Sequence, residues 1–163
     1  MRSASGFSLT SAAFGEGQDD PRRHTGDGED LSPPLSWSGL PRGRGSLALV
    51  VDDPDAPSAE PWVHWVIYDI PARLEEIPEG VHQADRPPFP EGASQGSNSW
   101  GTTGYRGPAP PRGHGVHHYH FTLYALDAPL KLLAGLDKRG LLKAMAGHVL
   151  DRADLVGTYE RPR

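Results

Sequence analysis

The sequence predicts a single, mainly β domain over residues 1–163, with helix confined to one or two segments near the C-terminus. Three observations predict it. Apolar and β-branched residues gather in short runs at 47–51, 62–70 and 116–126, as strands of a packed core do. Leu132, Leu133 and Leu136, followed by Leu141, Leu142, Met145 and Val149, are the one part that recurs at roughly helical spacing. The 20 glycines and 17 prolines among 163 residues punctuate the rest into long connections.

Taken in order, a short strand is expected around Phe7 to Thr10. Residues 16–30 follow with Glu16, Asp19, Asp20, Asp27, Glu29 and Asp30 against Arg22 and Arg23, broken by Pro21 and three glycines, and they read as a flexible, solvated acidic loop. Leu35-Ser36-Trp37 alternates before the turn Gly39 to Gly45. Ser46 to Asp52 reads as a buried strand because Leu47 to Val51 is continuously apolar. Trp62 to Tyr68 is aromatic and β-branched, a second central strand that Pro71 stops. From Pro71 to Gly115 almost nothing is periodic, which in a compact domain marks a functional loop or a missed element; the functional reading is taken. Val116 to Leu126 is the clearest strand, Asp127-Ala128-Pro129 opens a short and then a longer helix, and Leu155 to Tyr159 is the last strand.

Composition excludes several classes. The longest uninterrupted apolar run is Leu47 to Val51, far short of the roughly 20 residues of a membrane-spanning helix, so a cytoplasmic protein without integral membrane association is expected. Zero cysteines leave catalysis to His, Asp, Glu, Ser or Tyr. A net charge of -5 fits a nucleic-acid binder poorly, and no phosphate-binding glycine loop is present.

Strand alternation sorts the residues that could carry chemistry. His117, Tyr119, Phe121 and Leu123 share one face and His118, His120, Thr122 and Tyr124 the other; Trp62, His64, Val66 and Tyr68 share a face by the same rule. Three sites compete. An anion site would combine His64, His117, Tyr119 and the acidic turn at Asp53 and Asp55, whose carboxylates should hold an imidazole charged to higher pH. A metal site would use His118-x-His120. A hydrolase would use Gly92-Ala93-Ser94-Gln95-Gly96, which satisfies GxSxG, but Pro87, Pro88 and Pro90 stand where an elbow needs a strand. Each residue also has a bland reading: Asp52 to Pro57 as a turn, Trp62 and Trp65 as core, His64 as a buried neutral histidine.

Ser32-Pro33-Pro34-Leu35-Ser36-Trp37, Asp52-Asp53-Pro54-Asp55-Ala56-Pro57, His64-Trp65 and Gly104 to Gly113 running into His117-His118-Tyr119-His120-Phe121 closely resemble the phosphatidylethanolamine-binding protein family, in its bacterial and archaeal Raf-kinase-inhibitor-like branch. The resemblance runs in order from about Phe7 to Tyr159. It implies a Greek-key β-sandwich of antiparallel sheets with a small anion pocket at one end. It places Asp53, Asp55, Trp62, His64, Ala109, Pro110, Pro111, His117 and Tyr119 around a phosphate, acetate or phosphoethanolamine-like group. Three departures accompany it: Ala109 replaces a frequent cysteine, His118 a frequent arginine, and the C-terminal helix of eukaryotic members is missing.

The expectation is a cytosolic binding protein for a small phosphorylated or carboxylated ligand, with no catalytic residue, metal or cofactor. The resemblance adds a kinase or protease as protein partner and a homodimer. A low-rate enzyme using the Asp, His and Tyr of the pocket for acid–base chemistry, or a kinase or protease inhibitor acting through the pocket rim, are the alternatives.

Overall fold

The computed structural model describes residues 6–162. Eight strands form two antiparallel sheets: β1 (Ser8–Thr10), β2 (Leu35–Ser38), β3 (Ser46–Asp53), β4 (Trp62–Pro71), β5 (Glu76–Ile77), β6 (Ser94–Gln95), β7 (His117–Leu126) and β8 (Val149–Tyr159), with one helix, α1 (Lys138–Met145), before β8. The large sheet has the order β6-β4-β3-β7-β8 and the small one β1-β2-β5.

At β3 and β4 the large sheet is buried on both faces, which is why β3 reads as an unbroken apolar run and does not alternate, whereas β7 and β8 keep one more open face. Leu47, Leu49 and Val51 point toward the small sheet and join Phe7, Leu9, Leu35, Trp37 and Ile77 in the main core. Ala48 and Val50 point the other way and meet Leu141 and Met145 of α1. Burying those two helix side chains is worth roughly 1.5–3 kcal/mol each. Lys138 adds an ion pair from α1 to Asp52 at 2.6 Å.

The expected pair of helices is one helix and one irregular segment. Asp69, at φ 52, uses its carboxylate to collect the backbone N–H groups of Leu130, Lys131 and Leu132 at 3.0, 3.0 and 2.8 Å. Those donors leave a helical ladder no start at 130–132; Leu130, Leu132 and Leu136 pack against the sheet, while Leu133 is exposed. The helix instead begins at Asp137, whose side chain caps Gly140 N–H at 2.8 Å. It stops before Gly147, at φ 82, and β8 starts six residues ahead of the expected Leu155.

Residues 16–30 form a largely exposed loop, as their composition suggests, but the loop is anchored. Gly17 N–H donates to Val156 and Asp20 N–H to Thr158, while Thr158 N–H donates back to Gln18, so this stretch covers the outer edge of β8. Asp20, His24 and Thr25 are buried. Asp27 accepts hydrogen bonds from Tyr159 and Arg161.

Candidate functional site

At one end of the two-sheet core, the ends of β3, β4 and β7 surround a cavity of about 270 Å³. Their registers bring Asp52 opposite His120 and Asp53 opposite Trp62. His117 and Tyr119 are buried while His118 is exposed, as alternation requires.

β4 departs from simple alternation at the point that matters. Val51 pairs with Trp65 but Asp52 pairs with Val63, so His64 is the extra residue of a β-bulge. Val66 and Tyr68 therefore face α1, whereas His64 turns to the opposite side, its ring edge on Tyr119 at 5.1 Å between centroids. The expected common face of Trp62, His64, Val66 and Tyr68 is split by that bulge, and the split is what delivers His64 to the cavity.

The 71–115 stretch is ordered by side chains bonding to backbone. Buried Gln95 accepts from Trp65 Nε1 at 2.7 Å and donates to the carbonyls of His82 and Ala84. Asn98 Oδ1 accepts from Trp100 N–H and Thr102 N–H, forming the turn that sets Trp100 against His64 and Trp62 at 5.0 and 5.5 Å between centroids. Arg106 lies over the Trp100 ring. Gly107 passes so close to His24 that a Cβ would run into its carbonyl, and its N–H is held by Asp30. That approach fixes the course of Pro108 to Pro111.

Of the nine expected residues, Asp53, Trp62, His64, Ala109, Pro110, Pro111, His117 and Tyr119 line the cavity. Asp55 does not: its carboxylate accepts from the backbone N–H and Nδ1 of His118 at 2.8 and 2.7 Å. Partial burial works against the Asp55 charge, but those bonds and the His118 charge hold its carboxyl below the usual range. Ala56, Pro57, Ser58 and Trp100 complete the lining. Ala56 and Pro57 end the Asp52 to Pro57 motif, whereas Ser58 and Trp100 carry no sequence signal for this role.

The polar centre is a chain of three groups. Asp53 Oδ1 accepts the Asp55 N–H at 2.8 Å, and Oδ2 accepts from His117 Nδ1 at 2.6 Å. His117 Nε2 meets Nδ1 of His114 at 2.6 Å. With Nδ1 committed to Asp53, only Nε2 of His117 is left to act. His64 differs from expectation: burial pushes its pKa down to about 4, outweighing its hydrogen bond to Arg106 and the attraction of Asp53. Its Nδ1 donates to the Arg106 carbonyl at 2.6 Å, so neutral His64 has an acceptor left at Nε2. Burial, then the charges of Asp53 and Asp20, raises Tyr119 well above the ordinary phenol, and its hydroxyl stays protonated.

The competing sites separate from this one. Ser94 lies in two-residue β6, with Gly96 and no helix after it, is buried, and borders a different cavity. His118 and His120 do not converge: His118 is paired with Asp55, and among the described residues no group of three His, Asp or Glu side chains could hold a metal ion.

The architecture is thus a small antiparallel β-domain with a buried Asp53–His117 pair at a cavity of about 270 Å³. Comparison with known proteins places it further. Residues 10–160 match the phosphatidylethanolamine-binding protein family, and the chain belongs to that family. A UPF0098 protein of Methanothermobacter thermautotrophicus is 51% identical over 155 residues, 95% of this chain and 99% of the relative. Among solved structures, a phosphatidylethanolamine-binding protein homologue from Chlamydia trachomatis superposes with a TM-score of 0.86 at 38% identity, covering 97% of this chain and 99% of that one. Escherichia coli YbcL, described as a member of the mammalian family, gives 0.88 at 32% identity, covering 94% and 98%.

Proposed function

We propose that the chain is a binding protein whose cavity takes a small phosphorylated or carboxylated molecule, with phosphoethanolamine-like head groups the best fit. The observation that carries this is the Asp53–His117 hydrogen bond of 2.6 Å at a cavity walled by Trp62, Trp100 and three prolines. A volume of about 270 Å³ lies just below the usual range for small-molecule sites, roughly 300–1,000 Å³, and suits a head group better than a whole lipid.

The donor and acceptor balance refines the ligand. Protonated His117 offers Nε2–H to an anionic oxygen, while neutral His64 and the Asp53 carboxylate offer acceptors to an ammonium or a hydroxyl. A zwitterion satisfies both sets; a bare dianion meets Asp53 as a repulsion. We read the pair as a binding device, not a catalytic dyad, because the partner of His117 Nε2 is His114 and no nucleophilic hydroxyl.

Calorimetric titration of phosphoethanolamine into the parent and into His117→Ala tests this. One charge-assisted hydrogen bond is worth roughly 1.5–3 kcal/mol, so His117→Ala should bind about ten- to a hundredfold more weakly. Equal affinity of parent and variant overturns the reading.

A further inference from the structure

We propose that His114 is the second half of a two-imidazole clamp, which closes on a phosphate-class oxyanion at the cavity mouth. This rests on reading the cavity as an anion site. His114 is exposed, lies outside the cavity lining, and belongs to no element; yet its Nδ1 stands 2.6 Å from His117 Nε2, with the rings 4.9 Å apart between centroids.

Two imidazole nitrogens can share a hydrogen bond only while one of them lacks a proton. Once both rings are charged, two N–H groups converge on the same point and their mutual bond is impossible. An oxyanion resolves that conflict, because its separate oxygens accept one N–H from each ring. Elsewhere in the cavity the donors are uncharged: the Tyr119 hydroxyl stays protonated, Pro110 and Pro111 have no N–H, and His64 has its Nδ1 on Arg106 and is held neutral by burial.

The loop is built to let the second ring move. His114 sits between Gly113 and Gly115, at φ 73 and 90, and the space around Gly115 is open. The anchor lies just before it, where Gly113 N–H donates to the Arg161 carbonyl at 2.8 Å. The charges facing the pair are Asp53 from β3, hydrogen-bonded to His117; Asp55 beyond it, paired with His118; Arg161, whose guanidinium is paired with Asp27; Arg106, over Trp100; and Arg112 on the loop itself. Neutral His64 and Tyr119 border them. Asp53 repels the anion, so both imidazolium rings are needed to outweigh it.

Inorganic phosphate is the probe, titrated calorimetrically into parent, His114→Ala, His117→Ala and the double variant. His114→Ala should bind about tenfold more weakly or worse, the loss expected for one charge-assisted hydrogen bond. The double variant should lose less than the product of the single losses, because both rings hold one ion. The imidazole nitrogen resonances of both residues should move on saturation with phosphate. If His117→Ala weakens binding but His114→Ala leaves it unchanged or tightens it, His114 at most shields His117 and the clamp is wrong while the anion site stands. If phosphate does not bind the parent, or binds His117→Ala equally well, the anion site falls and the clamp with it. The melting temperature of His114→Ala should match the parent, since that side chain is on the surface, whereas His117→Ala also strips buried Asp53 of its partner, so the phosphate affinity of His114→Ala is the deciding measurement.

Discussion

Asp20 offers the sharpest quantitative test of the structure. Its carboxylate is 4% exposed, lies against Gly157 and Phe14, and has no hydrogen-bond partner for either oxygen among the described residues. Burial first, then the neighbouring Asp19 charge, raises its pKa from 3.8 to about 7. The folded state therefore keeps a proton that the unfolded chain has already released. The stability this group supports is fully present below pH 3.8 and is lost as pH rises to about 7. At about 1.36 kcal/mol per unit, the whole loss is on the order of 4 kcal/mol, and roughly 3 of that falls between pH 5 and pH 8. Asp20→Asn keeps the shape and removes the titration. Urea unfolding of both proteins at intervals from about pH 5 to about pH 8 isolates the effect, because every other titrating group is common to both. The variant's advantage should grow by about 3 kcal/mol across that range. A stability difference that is flat with pH refutes the argument.

What could be read from the sequence follows the physics of each element. β3 and β4 were legible because strands buried on both faces leave nearly unbroken apolar runs, and β7 because its one more open face leaves alternation. β5 and β6 have two residues each, too few for a period, and the stretch around them is held by Gln95 and Asn98, whose amides leave no pattern. Val149 matched a helical spacing yet starts β8, since Gly147 ends the turn between them. The site was legible where side chains on regular strands converge, as His117 and Tyr119 do. It was illegible where an irregularity decides: the bulge at His64, the Asn98 turn that brings in Trp100, and the glycine-flanked loop that seats His114. Asp55 shows the converse, a residue whose motif points to the cavity while its carboxylate binds His118 outside it.

The remaining predictions concern reactivity, assembly and the buried histidine. Ser94 is 3% exposed and has no elbow, so a serine-directed phosphonate should leave it unlabelled; stoichiometric adduct formation by mass spectrometry would revive a hydrolase. Leu142, Val149 and Leu150 are large apolar side chains left partly exposed at α1 and the start of β8, and a two-fold dimer would cover such surface; a monomer mass by light scattering at micromolar concentration counts against it. His64 should oppose Asp20. Burial holds its pKa near 4 against a reference of 6.5, so the folded state resists a proton that the unfolded chain accepts. That stability is present above pH 6.5 and is lost as pH falls toward 4, by on the order of 3 kcal/mol in all. Because Asp20 weakens the fold on the alkaline side and His64 on the acidic side, the parent's stability should vary less with pH than either group alone would make it. Asp20→Asn should unmask a fall toward acid, and a proton–nitrogen correlation titration should show the His64 ring neutral down to about pH 5, a unit above the shifted midpoint. A His64 midpoint at or above the reference value would show that the bulge does not seal the ring in the core, and would restore it as a second charged donor to the anion.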